Sequence, residues 1–189
     1  MRSRRAAAVV VLGGILAIAS TAGPRAQTKL YDPAVDARAQ IAKAVQSAAT
    51  DDIRVLVSWG TGDNPRSDEM ARAVRDAKPQ FLSDEYRPVY VDVGHLDRNL
   101  DVAKAYGVTL SAADLPVLTV LDRRGAVVAS VSSRELLASA TGRVDLARVR
   151  AFLEAHQSPA PDAVAAFDAG LAQATRDGKT LFVWFSAPW

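Results

Sequence analysis

Val55-Leu56-Val57-Ser58-Trp59-Gly60-Thr61-Gly62-Asp63 is an apolar run that ends in small residues, and its pattern returns at Leu181-Phe182-Val183-Trp184-Phe185-Ser186-Ala187-Pro188-Trp189. Each stretch follows a helix-like segment and an Asp turn, Asp51-Asp52 in the first and Asp177-Gly178 in the second. A short apolar run set between a helical pattern and a turn reads as a buried strand. The copies share few identities (Ala48 with Ala174, Asp51 with Asp177, Val57 with Val183), so the repeat is one of pattern. It fixes a register in which the position after Trp189 corresponds to Asn64.

Working outward, Asp32-Pro33 predicts a helix start, with Val35, Ile41, Val45 and Ala49 on one face. Asn64-Pro65 predicts a second start, and Pro79 interrupts or ends that helix. Pro88–Val93 reads as a strand and Leu100–Tyr106 as a short helix closed by Gly107. Val117–Leu121 and Ala126–Val131 form a hairpin across Asp122-Arg123-Arg124-Gly125. Asp145–His156 is an amphipathic helix, 157–162 a linker, Ala163–Arg176 a helix, and Lys179–Ser186 a strand. Strands alternating with helices, then a hairpin and a last helix, predict a three-layer α/β/α sandwich around a central mixed sheet. Residues 30–156 suffice for a core of their own; a helix and one strand over 163–189 do not.

These residues resemble the thioredoxin family. The resemblance rests on the strand Val55–Trp59 with its loop into a helix at Asn64, on Tyr90-Val91-Asp92-Val93 followed by Leu100 to Gly107-Val108, on Leu115-Pro116, and on the Asp122–Gly125 hairpin. The tail Phe185-Ser186-Ala187-Pro188-Trp189 looks like the approach to a thioredoxin active site, where Trp precedes Cys-x-x-Cys. The resemblance implies one complete unit over 30–156 and the start of a truncated second unit over 163–189. It also implies thiol–disulfide exchange and a role in cell redox homeostasis, yet the chain contains no cysteine.

In the register of the repeat, the family's two cysteines fall on Asn64 and Ser67, with Pro65 and Arg66 between them. A frame shifted by one puts them on Asp63 and Arg66. In this family the thiolate sits at a helix N-terminus, whose free N–H groups lower its pKa. Asn is a strong N-cap and Pro suits the next position, so Asn64-Pro65 reads as the same helix start rebuilt without sulfur. No catalytic residue and no cofactor are expected. Pro116 resembles the family's cis-proline, beside which the Leu115 backbone is expected to offer an edge to an extended peptide; a plain rigid turn is the other reading.

Met1-Arg2-Ser3-Arg4-Arg5, the uncharged run Ala6–Ala19 and the small residues after it predict a secretory signal peptide over 1–26, cleaved after Ala22 or Ala26. The apolar run is short for a membrane span. A periplasmic or secreted location is therefore expected, with no stable membrane span in the mature chain. Removal of residues 1–26 takes away Arg2, Arg4, Arg5 and Arg25, so the 23 basic residues fall by four to 19 against 21 acidic ones and the net charge becomes −2. That balance gives no electrostatic case for nucleic acid.

Other motifs point nowhere sharper. Gly60-Thr61-Gly62 lacks the Gly-Lys-Ser/Thr of a phosphate loop. Arg66 near a helix start reads as a solvated arginine before an anion site. His95 and His156 are too far apart in sequence to suggest a metal centre, and Ser132-Ser133 has no nucleophile elbow. Trp59 and Trp184 are expected in the core. Two functions follow: a module without redox cysteines that binds a peptide or partner protein, or the N-terminal part of a thiol–disulfide oxidoreductase whose Cys-x-x-Cys lies beyond Trp189.

Overall fold

The computed structural model describes residues 30–77, 84–159 and 162–184. The signal segment, Lys78-Pro79 and Phe185–Trp189 lie outside them. Helix α1 (Ala37–Asp51) leads into strand β1 (Arg54–Gly60), helix α2 (Pro65–Asp76) and strand β2 (Tyr86–Asp92). A short helix α3 (Leu100–Ala105) precedes the hairpin β3 (Val117–Leu121) and β4 (Val127–Ser132). Helices α4 (Leu146–Ala155) and α5 (Ala163–Asp177) follow.

The four strands form one mixed sheet in the order β2-β1-β3-β4. β1 pairs parallel with β2 and antiparallel with β3, and β3 pairs antiparallel with β4. Alternation along β1 sends Val55, Val57 and Trp59 to one face and Leu56 to the other. On the first face they meet Ile41, Ala44 and Ala48 of α1 and Val102 of α3. On the second, Leu56 meets Met70 and Val74 of α2 and Val149 and Leu153 of α4. Two separate apolar cores on opposite faces of a mixed sheet are the expected three-layer sandwich. Trp59 is fully buried, and its indole N–H donates to Thr119 Oγ1 at 3.0 Å, so its polar atom is satisfied.

Three expectations fail locally. α1 starts at Ala37, not after Asp32. Asp32 instead accepts from the Ala34 N–H at 3.0 Å in a turn, and Asp36 caps the helix by accepting from Arg38 and Ala39. Two aspartates compete for one role, and Val35, expected on the buried face, stays exposed. Residues 179–184 form no strand, because no described strand lies alongside to pair with them. Trp184 is 78% exposed rather than buried.

α5 nevertheless repeats α1 closely. Both are 15 residues long, both are capped by an aspartate that accepts from two backbone N–H groups, and both end in a left-handed residue, Asp52 or Gly178. Leu181 lies against Gly170 of α5. Unlike α1, α5 buries no residue.

Candidate functional site

The site forms where α2 begins, at the carboxyl ends of β1 and β2. Asn64 has an extended backbone and its side chain accepts from the Arg66 N–H at 2.9 Å, with Pro65 as the first helical residue. The Ser67 N–H donates to the Asn64 carbonyl at 2.9 Å. Pro65 has no N–H to offer. The first turn of α2 thus keeps no spare N–H for an anion. Arg66 turns away from any such role, donating to the Ala113 carbonyl at 3.3 Å and tying α2 to the loop before β3.

Ser67 is fully buried. Its hydroxyl accepts from the Thr61 N–H at 3.3 Å, fixing the loop between β1 and α2. Tyr31 packs over this point, and its hydroxyl shares a hydrogen bond with Ser58 Oγ at 2.8 Å. A Cβ on Gly60 would come within 2.8 Å of Ser67 Oγ and 2.9 Å of the Tyr31 ring, so only glycine lets the helix start sit this close. Burial pushes the Tyr31 phenol well above its ordinary pKa and keeps it protonated.

Across from Asn64, the Leu115–Pro116 bond is cis. The Ser133 hydroxyl donates to the Leu115 carbonyl at 2.8 Å, and the Ser133 N–H donates to the Pro116 carbonyl at 2.9 Å. The Leu115 backbone is therefore partly engaged, and its N–H is the group left without a partner among the described residues. Thr61, Asp63, Asn64, Pro65, Leu96 and Leu115 share an open cleft of about 360 Å³. Apolar Pro65, Leu96 and Leu115 and polar Thr61, Asp63 and Asn64 line it together. Among the polar ones, the Thr61 hydroxyl donates to the Asp63 carboxylate at 2.5 Å, and His95 lies 3.4 Å from Asp63. The Thr61 hydrogen bond, aided by His95, holds the Asp63 carboxyl below its ordinary pKa.

The structure thus brings Asn64, Pro65 and Leu115 to one cleft, with Asp63 beside them; Arg66 is tied to Ala113, Ser67 is buried, and neither they nor Pro116 line the cleft. Asp63 and Arg66, the shifted frame, are not buried. Sequence reasoning missed Tyr31, Ser58 and Ser133. Tyr31 precedes every regular element and gives no pattern. Ser133 had a signal, since Ser132 and Glu135 form a capping box that turns the chain just after β4. Among the described residues no group of acidic and histidine side chains is arranged to hold a metal ion.

No family model matches the chain, and no curated protein matches it in sequence. Among solved structures it is similar to the disulphide isomerase of Xylella fastidiosa Temecula1, at 25% identity and a TM-score of 0.56 over 66% of this chain and 94% of that one. A second likeness, to Trxlp of Edwardsiella tarda EIB202, is more distant, at 17% identity and a TM-score of 0.41 over 61% of this chain and 91% of that one. The fold is that of the thioredoxin family.

Proposed function

We propose that this chain is an exported thioredoxin-like module that binds an extended peptide or a partner protein in the Asn64–Leu115 cleft and carries out no thiol exchange through these residues. The carrying observation is the cleft itself: apolar Pro65, Leu96 and Leu115 share it, and the Leu115 backbone N–H has no partner among the described residues, the pairing an added extended peptide uses. The likeness to a protein described as a disulphide isomerase supports descent from a sulfur-exchange scaffold. Asn64 and Ser67 then stand where its reactive pair stood. With no sulfur nucleophile in the sequence, the binding half of that activity is what these residues retain. Export rests on the basic start and apolar run of residues 1–22.

The test uses S-carboxymethylated insulin B chain as an extended, thiol-free probe, followed by amide chemical shifts. Shifts centred on Asn64, Leu96 and Leu115 are expected, and Ala112→Trp, at a residue that also lines the cleft, should weaken binding at least about tenfold, or about 1.4 kcal/mol. Lack of binding at millimolar probe, or shifts confined to another surface, would remove the reading. Export is tested separately, by the mass of the chain recovered from a Gram-negative host. Cleavage after Ala22 or Ala26 is expected, and an intact Met1 in the cytosol is the contrary result.

A further inference from the structure

Two features of the fold are each half of a sheet contact. The first is the outer edge of β4, which is last in the strand order. Its sequence, Val127-Val128-Ala129-Ser130-Val131-Ser132, has no charge, proline or glycine. Natural edge strands are usually guarded by such residues. The Ser133 N–H reaches the Pro116 carbonyl, so alternation turns the groups of Val131 and Ala129 toward β3 and those of Ser130 and Ser132 outward. The Ser132 N–H is already taken by Glu135 at 3.1 Å, which leaves the stretch around Ser130 as the open edge. Val127 and Val128 are 43% and 41% exposed.

The second feature is Lys179–Trp184, whose residues Leu181–Val183 repeat the apolar pattern of Val55–Val57. In β1 that pattern is paired on both sides and covered on both faces. In 179–184 one face meets α5 through Leu181, no strand lies beside it among the described residues, and Phe182 and Trp184 are 80% and 78% exposed. Val164, Phe167 and Leu171 of α5 continue the apolar patch.

We propose that Thr180–Trp184 of one copy adds as a strand to the outer edge of β4 in a second copy, Lys179 staying tied to α5 through its N–H on the Ala174 carbonyl at 2.9 Å. Each element supplies what the other lacks: open backbone over 180–184 and around Ser130, and apolar side chains beside the exposed Val127 and Val128. The face of β4 away from α4 has room for the incoming helix, since Val117, Ser130 and Ser132 line an open cleft of about 460 Å³ there. Area favours a second copy as the occupant. Aromatic side chains bury roughly 150–250 Å² each, so Phe182 and Trp184 alone leave on the order of 300 Å² uncovered. With the α5 stripe and the β4 valines, reciprocal exchange covers on the order of 700 Å² per chain, near the roughly 800 Å² per partner of a stable interface. Reciprocal exchange also closes the pair by a two-fold axis and covers the β4 edge of both copies.

The cysteine-free sequence makes the test clean, because any introduced thiol is the only one. The full chain is weighed in solution by sedimentation over a range of concentrations, beside Val128→Lys and Val183→Pro. Self-association is expected, weakened at least about tenfold by either substitution. Single variants Val128→Cys and Val183→Cys are then mixed and mildly oxidised. The mixed disulfide should exceed both same-variant disulfides. A monomer at every concentration overturns the proposal. So does association that survives both substitutions but is lost in Phe167→Asp, which would mean helix faces meeting alone. An intrachain disulfide in monomeric Val128→Cys/Val183→Cys also overturns it, by placing the strand on its own sheet.

Discussion

At the scale of the residue, Asn64 and Ser67 decide how the site is read. They lie at the N-cap and third positions of α2, about one helical turn apart, where Cα atoms stand on the order of 5–6 Å from each other. That is within the range a disulfide spans, roughly 4.4–6.8 Å. Asn64→Cys with Ser67→Cys should therefore close under mild oxidation, as read by mass. Asp63→Cys with Arg66→Cys should close less readily, because Asp63 precedes the N-cap and lies outside the helical turn that sets the Asn64–Ser67 spacing. Preference for the second pair would shift the register by one. Tyr31 carries a prediction of its own. Its hydroxyl satisfies the buried Ser58, so Tyr31→Phe should cost about 1–3 kcal/mol in urea unfolding by leaving that oxygen unpaired. The pH sign follows from burial. Tyr31, Tyr86 and Tyr90 all have pKa values raised above their ordinary 10.0, so each contributes stability that is complete below that value. The unfolded chain ionises first, and stability should fall as pH rises from about 10 toward the folded values. Tyr31→Phe should soften that fall, and a stability flat to pH 12 would contradict it. Asn64-Pro65 was legible in the sequence because capping is a local code. Tyr31 was not, since it acts through a partner 27 residues away; at Ser133 the capping box marked the turn but not the hydrogen bond to Leu115, 18 residues back.

At the scale of the element, the comparison of α1 with α5 separates local from tertiary causes. Both helices form with the same cap and the same length because Asp36 and Asp162 satisfy the same first-turn N–H groups. Their ends differ in cost. Asp52 takes a φ of 55° where Gly178 takes 63°, and only glycine enters that region freely. Asp52 also pairs with Arg123 at 2.6 Å, but both side chains are more than half exposed and the pair contributes little. Asp52→Gly should therefore raise stability by about 0.5–1 kcal/mol in urea unfolding. A loss instead would show that the ion pair outweighs backbone strain. The same comparison shows what pattern can and cannot tell. β1 and 179–184 carry similar sequences, yet only β1 is a strand, because β2 and β3 lie on either side of it. Apolar alternation says which residues a strand would bury; a neighbour is needed to make it one. The helix start misplaced at Asp32 is the complementary case. Both Asp32 and Asp36 can cap, and the choice is settled by Ala37 and Ile41 packing on the sheet.

At the scale of the whole molecule, stability is concentrated before residue 157. Both cores are closed by side chains between Ala37 and Leu153. The α1 face holds Ile41, Val57 and Trp59; the α2 and α4 face holds Met70, Leu118 and Leu153, with the Tyr86 hydroxyl donating to the Leu153 carbonyl at 2.6 Å. Nothing from α5 enters either one, and its large apolar residues Val164, Phe167 and Leu171 remain 46–70% exposed. Burial is the dominant favourable term in folding, so an element that buries nothing contributes little to the transition. A chain ending at Ser158 should accordingly unfold in one cooperative step, with a midpoint in urea within error of the full chain at low micromolar concentration. Circular dichroism should show the loss of one 15-residue helix and no other change. The contrast with the interior is large: Ile41→Ala, fully buried on α1, should cost about 2–5 kcal/mol, while Phe167→Ala at the register-equivalent position of α5 should stay within about 0.5 kcal/mol in the monomer. A marked drop in midpoint on removing 159–189 would mean that the second copy of the pattern closes part of the first unit's core.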